Sequence, residues 1–175
     1  MTTVAEEILD VVDSNDQVIE SLPRSEVYKR GDCIIRGCWL FIQNSKGQLW
    51  IPRRAKTKSL FPDALDGSAV GHVSAGETYE EAAIRETEEE VGIKLKPEEL
   101  VCIGRMGPDQ LAAMNNRTRA FIKVYLLKSD ETPEFDKSEY SEYYWLTPEE
   151  IIKRIDAGDK HKSSLPFIIK YLFLN

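Results

Sequence analysis

The sequence has little cysteine, little positive charge and no long apolar run. Its three cysteines, Cys33, Cys38 and Cys102, form an odd set without CxxC or Cys/His spacing. That excludes a disulfide framework and a zinc site and predicts reduced thiols in a cytoplasmic protein. No stretch approaches the ~20 apolar residues needed to cross a bilayer. The opening "MTTVAEEILD" lacks the basic start and apolar segment of a signal peptide. The 23 basic residues against 30 acidic ones leave a formal charge of -7. This argues against a nucleic acid polymer or an anionic membrane as the main partner. A phosphate-bearing substrate would then have to be met locally, by a few basic residues or by a divalent cation. No repeat of 20 to 50 residues recurs, and the eight prolines and ten glycines form no linker. The 175 residues suit one hydrophobic core, so a single domain over residues 1–175 is expected.

Short strands are predicted in "EILDVVD" and "QVIESL", and a helix in "RSEVYKRG" that ends at Gly31. "CIIRGCWLFIQ" and "GQLWIPRR" are apolar and β-branched runs joined by "NSKG", the pattern of a hairpin, with Pro52 marking an edge or a bend. "AFIKVYLLK" is apolar at nearly every position, as in a strand covered on both faces. In "LTPEEIIKRI", Thr147, Pro148 and Glu150 make a helix start with a capping box. Leu165, Ile168, Ile169 and Leu172 follow helical spacing and are expected to pack on the sheet. Trp39, Trp50 and Trp145 fall at strand-like core positions, and His161 reads as surface. Strands mixed with helices, not in strict alternation, indicate an α/β fold with a mixed sheet sandwiched between helices (α/β/α).

The stretch "GHVSAGETYEEAAIRETEEEVGI", residues 71–93, poses the chemical question. Thr78 and Glu81 have capping-box spacing and Gly92 is a stop signal, which predicts a helix over residues 79–91. Helical periodicity places Glu86, Glu89 and Glu90 on one face with Ala82 and Ala83, beside a buried stripe of Ala83, Ile84, Thr87 and Val91. Glu81, Arg85 and Glu88 fall on the far side. Like charges one turn apart repel, by a few tenths of a kcal/mol when exposed and by more when partly desolvated. A solvated acidic face would gain nothing from bordering the core. Mg²⁺ or Mn²⁺ would resolve the conflict, because hard cations take carboxylate oxygens as ligands.

Gly71, Glu77, Arg85, Glu86, Glu89, Glu90, Gly92 and Ile93 sit at the spacings of the Nudix box, GX5EX7REUXEEXGU. The chain resembles that family at every specified position except Thr87, which stands where the family has a bulky aliphatic residue. The resemblance implies a Nudix fold that binds Mg²⁺ or Mn²⁺ and hydrolyses a diphosphate linked to another moiety. It implies that Glu86, Glu89 and Glu90 are metal ligands or, for one of them, the base acting on water. The Gly71 carbonyl would complete the shell, and Glu77 and Arg85 would brace the loop against the helix. The partner would be a small-molecule diphosphate, with a homodimer the default assembly.

Beyond the box, "DVVDSNDQVI", "RSEV", "RRAKTKSLFPDALDGSAVGHVSAGE" and "EYSEYYWLTPEEI" resemble a bacterial Nudix subgroup similar to isopentenyl diphosphate isomerase. An isomerase of that kind needs a cysteine where this chain has Val70, and several metal-binding histidines. This chain has His72 and His161, with Arg36 in place of an N-terminal histidine. A non-catalytic Nudix-fold binding module is the other alternative, although such modules usually carry damaged boxes. Arg53, Arg54, Lys56 and Lys58 are candidate contacts for substrate phosphates, weighed against surface solubility. Glu139 and Glu142 are candidates for an extra acid near the metal, weighed against an acidic loop ahead of a strand. His72 is expected to contact substrate or to hydrogen-bond within the loop. Selectivity is expected to reside in "MGPDQLAAMNNRTR" and in the N-terminal extension, residues 1–32.

Overall fold

A computed structural model of the chain describes residues 6–112 and 119–174. β1 (Ile8–Val12) and β2 (Val18–Pro23) form an antiparallel pair, followed by α1 (Arg24–Arg30), which stops at Gly31 in the left-handed conformation. The centre of the sheet is β3 (Ile34–Gln43). Then come β4 (Leu49–Arg54), β5 (Ala69–His72), α2 (Tyr79–Val91), β6 (Val101–Met106), α3 (Pro108–Ala112), β7 (Arg119–Lys128), β8 (Tyr140–Leu146), α4 (Pro148–Asp156) and α5 (Leu165–Phe173). One edge of β3 pairs in parallel with β7 along its whole length. The other edge is shared by β1 at Ile34, β5 from Gly37 to Leu40, and β4 at Gln43 alone. β6 lies antiparallel on β7, and β8 antiparallel on β4.

Strand alternation divides the interior into two cores. Ile35, Trp39 and Phe41 of β3 face α4 and α5, together with Leu49, Ile51, Ile122, Val124, Ile151, Leu165 and Ile168. Cys38, Leu40 and Ile42 face α2, together with Trp50, Tyr125, Tyr79, Ala82, Ala83 and Val91. Fully burying each large aliphatic side chain contributes about 1.5–3 kcal/mol. The layering is the α/β/α sandwich expected from the sequence. β5 and β6 carry no clear strand signal, and both owe their glycines to close approach. A Cβ on Gly104 of β6 would lie 2.7 Å from Leu172 of α5, and the β6–β7 register slips between Cys102 and Gly104.

The β3–β4 hairpin forms, but its strands part at once, so the sheet branches. The segment 64–68 lines the edge of β4 that β3 has left: Arg54 N–H donates to the Ala64 carbonyl, and Asp66 N–H donates to the Pro52 carbonyl. Pro52 therefore faces this irregular edge, and its missing N–H removes no bond to β8. Ser68 spans the branch. Its hydroxyl accepts from Ile42 N–H at 2.9 Å and donates to the Trp50 carbonyl at 2.7 Å, with the side chain fully buried. Ser68→Ala would leave both backbone groups without this partner. The expected loss is about 1–3 kcal/mol of unfolding free energy in a denaturant titration; an unchanged midpoint would show that the branch does not depend on this hydroxyl.

Candidate active site

The acidic helix sits where its caps put it. The Thr78 side chain accepts from Glu81 N–H, the Glu81 carboxylate accepts from Thr78 N–H, and Gly92 ends the helix at φ 68°. α2 covers the 79–91 expected from the sequence and buries Ala82, Ala83, Thr87, Glu90 and Val91. Small residues on this face let the helix approach β5 closely. The Glu86 side chain crosses Gly71 so tightly that a Cβ there would lie 2.0 Å from its carboxyl carbon. Space rather than backbone conformation therefore demands glycine at 71. Thr87, the departure from the family pattern, donates its hydroxyl to the Ala83 carbonyl at 2.6 Å, so its polar atom is satisfied within the helix.

Glu90 is buried, at 9% exposure. Its Oε2 accepts from Val70 N–H at 3.0 Å and from the Tyr140 hydroxyl at 2.7 Å. Burial pushes its carboxyl up to about 8, the Tyr140 bond opposing and the nearby Glu86 and Asp66 charges adding to the rise. Burial also raises Glu86, partly offset by Arg85. Arg85 joins the loop to the helix: it donates twice to Glu77, at 2.8 and 3.0 Å, to Glu86 at 2.8 Å and to the His72 carbonyl at 3.1 Å. The Arg85 bond holds Glu77 below the usual carboxylate range despite desolvation. Glu89 is exposed and lies 3.4 Å from Arg85. Among the described residues no three potential ligands already converge. The donor set nevertheless suits a hard cation: two largely buried carboxylates whose charge is costly in isolation and a third carboxylate on an exposed side chain. The Gly71 carbonyl, expected to complete the shell, is turned to β3, where Gly71 pairs with Cys38.

Several residues lie elsewhere than the sequence places them. Arg85 is not on the far side of the helix, because its long side chain runs back toward the N-terminus to reach Glu77. Arg53 and Arg54, expected as phosphate contacts, are buried in internal ion pairs instead. Arg53 pairs with Glu142 at 2.8 Å and with Asp159 at 3.0 Å, and Arg54 pairs with Asp66 at 2.9 Å. The same guanidinium groups donate to the carbonyls of Asp63 and Leu60, holding a loop in which Phe61 and Asp63 take φ of 50° and 60°. That conformation is costly for non-glycine residues and needs such anchoring. Lys56 is exposed. Glu139 is engaged by Lys58, and Glu142 lies within β8 rather than in a loop before it. His161 is partly buried. A hollow of about 440 Å³ at the β3–β4 turn, beside Asn44, Ser45 and Asp130, lies far along β3 from Gly71 and has no part in this arrangement.

The N-terminal extension touches the box loop directly. Ala75 N–H donates to the Ile8 carbonyl at 2.8 Å, Gly76 N–H donates to Asp10 at 2.9 Å, and Leu9 bridges to Ser74. Glu7 and Tyr28 flank the His72 ring, at 3.6 Å from Nδ1 and 3.1 Å from Nε2. Arg36 is held by Asp16 from the β1–β2 turn, at 2.6 Å. Cys38 brings Sγ to 3.8 Å from the Gly71 carbonyl, but burial pushes its thiol up to about 12, so it stays protonated and is no nucleophile. Tyr140, Glu7 and Asp10 were missed from the sequence, because their roles depend on contacts between distant segments that periodicity does not encode. Of "MGPDQLAAMNNRTR", residues 113–118 lie outside the described residues.

Glu90 gives the metal-free protein a signed pH dependence. Its carboxyl holds a proton in the folded state up to about pH 8, whereas the unfolded chain releases it near the ordinary carboxylate value. Across that window the folded state binds more protons, so this group's contribution to stability falls as pH rises. Metal-free wild type is expected to lose more thermal stability between pH 5 and pH 8 than Glu90→Gln, whose amide oxygen can still accept from Val70 and Tyr140. Parallel pH profiles for the two proteins would refute the burial argument.

Comparison with known proteins agrees with this geometry. The family model described as NUDIX domain matches residues 35–167. A Nostoc sp. protein, the Nudix hydrolase all7351, is 40% identical over 169 residues, covering 97% of each chain. A Deinococcus radiodurans Nudix hydrolase is 39% identical over 170 residues, covering 97% of this chain and 96% of its own. The crystal structure of DR0079 from Deinococcus radiodurans superposes with a TM-score of 0.84 at 39% identity, over 95% of this chain and 99% of that one. With the box folded as a loop and helix, and with relatives matched over nearly their whole length, the chain belongs to the Nudix hydrolase family.

Proposed function

We propose that the chain is a divalent-metal-dependent diphosphohydrolase acting on a nucleoside diphosphate derivative or another small organic diphosphate. The observation that carries this reading is the burial of Glu86 and Glu90 side by side against Gly71, an arrangement that is unfavourable without a cation. Nudix hydrolases generally use divalent ions. Here Glu86, Glu89 and Glu90 would hold Mg²⁺ or Mn²⁺, which would neutralise the diphosphate and make a bound water more acidic. Glu89 can leave Arg85 at small cost, since an exposed ion pair is worth at most about 1 kcal/mol. One of the three glutamates accepts the proton of the attacking water. Arg85 keeps the loop registered on the helix through Glu77 and the His72 carbonyl. Lys56 remains the exposed candidate among the basic residues ahead of the box. Residues 1–175 are read as one domain, in which Glu7, Ile8, Leu9, Asp10 and Tyr28 of the N-terminal extension lie against the box loop. A cytoplasmic location and a homodimer are part of the same reading; among the described residues, no helix is long and apolar enough to cross a membrane.

The test is phosphate or pyrophosphate release from nucleoside triphosphates, nucleotide sugars, dinucleotides and small organic diphosphates, with Mg²⁺, with Mn²⁺ and with chelator. Isopentenyl diphosphate is included and assayed for isomerisation, which Val70 argues against. Chelator-sensitive hydrolysis is expected, with kcat about 100-fold lower or worse in Glu86→Gln and Glu90→Gln. Gly71→Ala is expected to fold but to lose activity, because the new Cβ displaces the flexible end of Glu86. Full metal-dependent turnover by Glu90→Gln would refute the assignment of the site.

A further inference from the structure

Tyr140 reaches the α2 side of the sheet only because β8 is irregular. From Leu146 back to Glu142 the strand pairs residue for residue with β4: Leu146 opposite Leu49, Tyr144 opposite Ile51, and Glu142 opposite Arg53. Strict continuation would set Ser141 opposite Arg54 and turn Tyr140 toward α4 and α5. Instead Arg54 faces Tyr140, and Ser141 is the extra residue of a β-bulge. A bulge redirects one side chain while the rest of the ladder keeps its register. Ala55 N–H donates to the Glu139 carbonyl at 2.8 Å just beyond it, which resumes the contact between the two chain segments.

The redirected ring is fully buried, with centroids 6.0 Å from Trp50 and 6.4 Å from Phe135. Phenylalanine would fill such an apolar cage equally well. The hydroxyl is what ties it to α2: it donates to Oε2 of Glu90, the same oxygen that accepts from Val70 N–H. Among the described residues, both hydrogen bonds to this carboxylate fall on Oε2, at 2.7 and 3.0 Å. Two donors from two strands fix that atom and with it the carboxylate plane, so Oε1 has one orientation left.

We infer that Tyr140 is a positioning residue of the metal site: by holding Oε2 of Glu90, it presents the other oxygen to the divalent ion in a set orientation. This rests on the reading of Glu90 as a ligand. A hydroxyl that served packing alone would affect the stability of the metal-free protein and leave its ion affinity untouched.

Mn²⁺ alone is the probe, titrated calorimetrically into full-length wild type, Tyr140→Phe, Glu90→Gln and the double variant, with the metal-free thermal midpoint of each recorded. Tyr140→Phe is expected to stay folded and to bind Mn²⁺ about tenfold more weakly, the loss usual for an outer partner of a ligand. In the Glu90→Gln background the same change is expected to add almost nothing, since the two residues act through one oxygen. Wild-type Mn²⁺ affinity in Tyr140→Phe, beside weakened binding in Glu90→Gln, overturns the positioning role and leaves the metal site standing. Additive losses also overturn it. Wild-type affinity in Glu90→Gln removes both the role and the ligand reading beneath it.

Discussion

The approach of α2 to β5 is the contact on which the rest of the structure depends. Alanines at 82 and 83 and glycine at 71 remove the atoms that would hold helix and strand apart, and the space they leave is taken by glutamate side chains. Hydrophobic burial secures the helix from below through Tyr79, Ala82, Ala83 and Val91. That same burial carries Glu86 and Glu90 out of water. The apolar contact and the electrostatic cost are therefore inseparable. Arg85 offsets part of the cost from the loop side, and the Val70 amide and Tyr140 hydroxyl offset part from the sheet side.

The sheet beneath is built to serve this contact. β3 gives its whole length to β7 on one edge, which makes it a fixed reference, and divides its other edge among three strands. β5, which carries Gly71, is paired at the centre of that divided edge. β4 and β8 branch away and return under the far end of α2, where Tyr140 meets Glu90. Ser68 closes the gap that the branching opens, replacing ladder bonds with one hydroxyl.

The features legible in the sequence were those encoded over a few residues. Thr78, Glu81 and Gly92 define α2 to the residue; Thr147, Pro148 and Glu150 do the same for the start of α4; and the spacing of the box carries the family. The two-faced cores follow from β-branched runs. Less legible was whatever depends on a departure from regularity or on an ion pair between distant segments. β6 is hidden by Gly104, which exists to admit Leu172. The basic run Arg53–Arg54 looks like a phosphate site in sequence, because Asp66, Glu142 and Asp159, which neutralise it, lie far along the chain. Helical periodicity placed Arg85 by its Cα, whereas its side chain reaches Glu77 and the His72 carbonyl in the loop ahead of the helix.

The docking of β1 on residues 74–76 has a kinetic meaning. Leu9 pairs with Ser74, and the backbone of Ile8 with Ala75, across a long stretch of intervening chain. Contacts between such distant residues pay a loop-closure entropy and form late unless other structure has already drawn the ends together. Closing this contact thus carries the loop-closure cost of the intervening chain, and the ordering of the box loop is tied to the first strand. Fraying of the first strand would in turn loosen that loop and uncover Leu9 and Val11, which β1 lends to the core beneath α4 and α5.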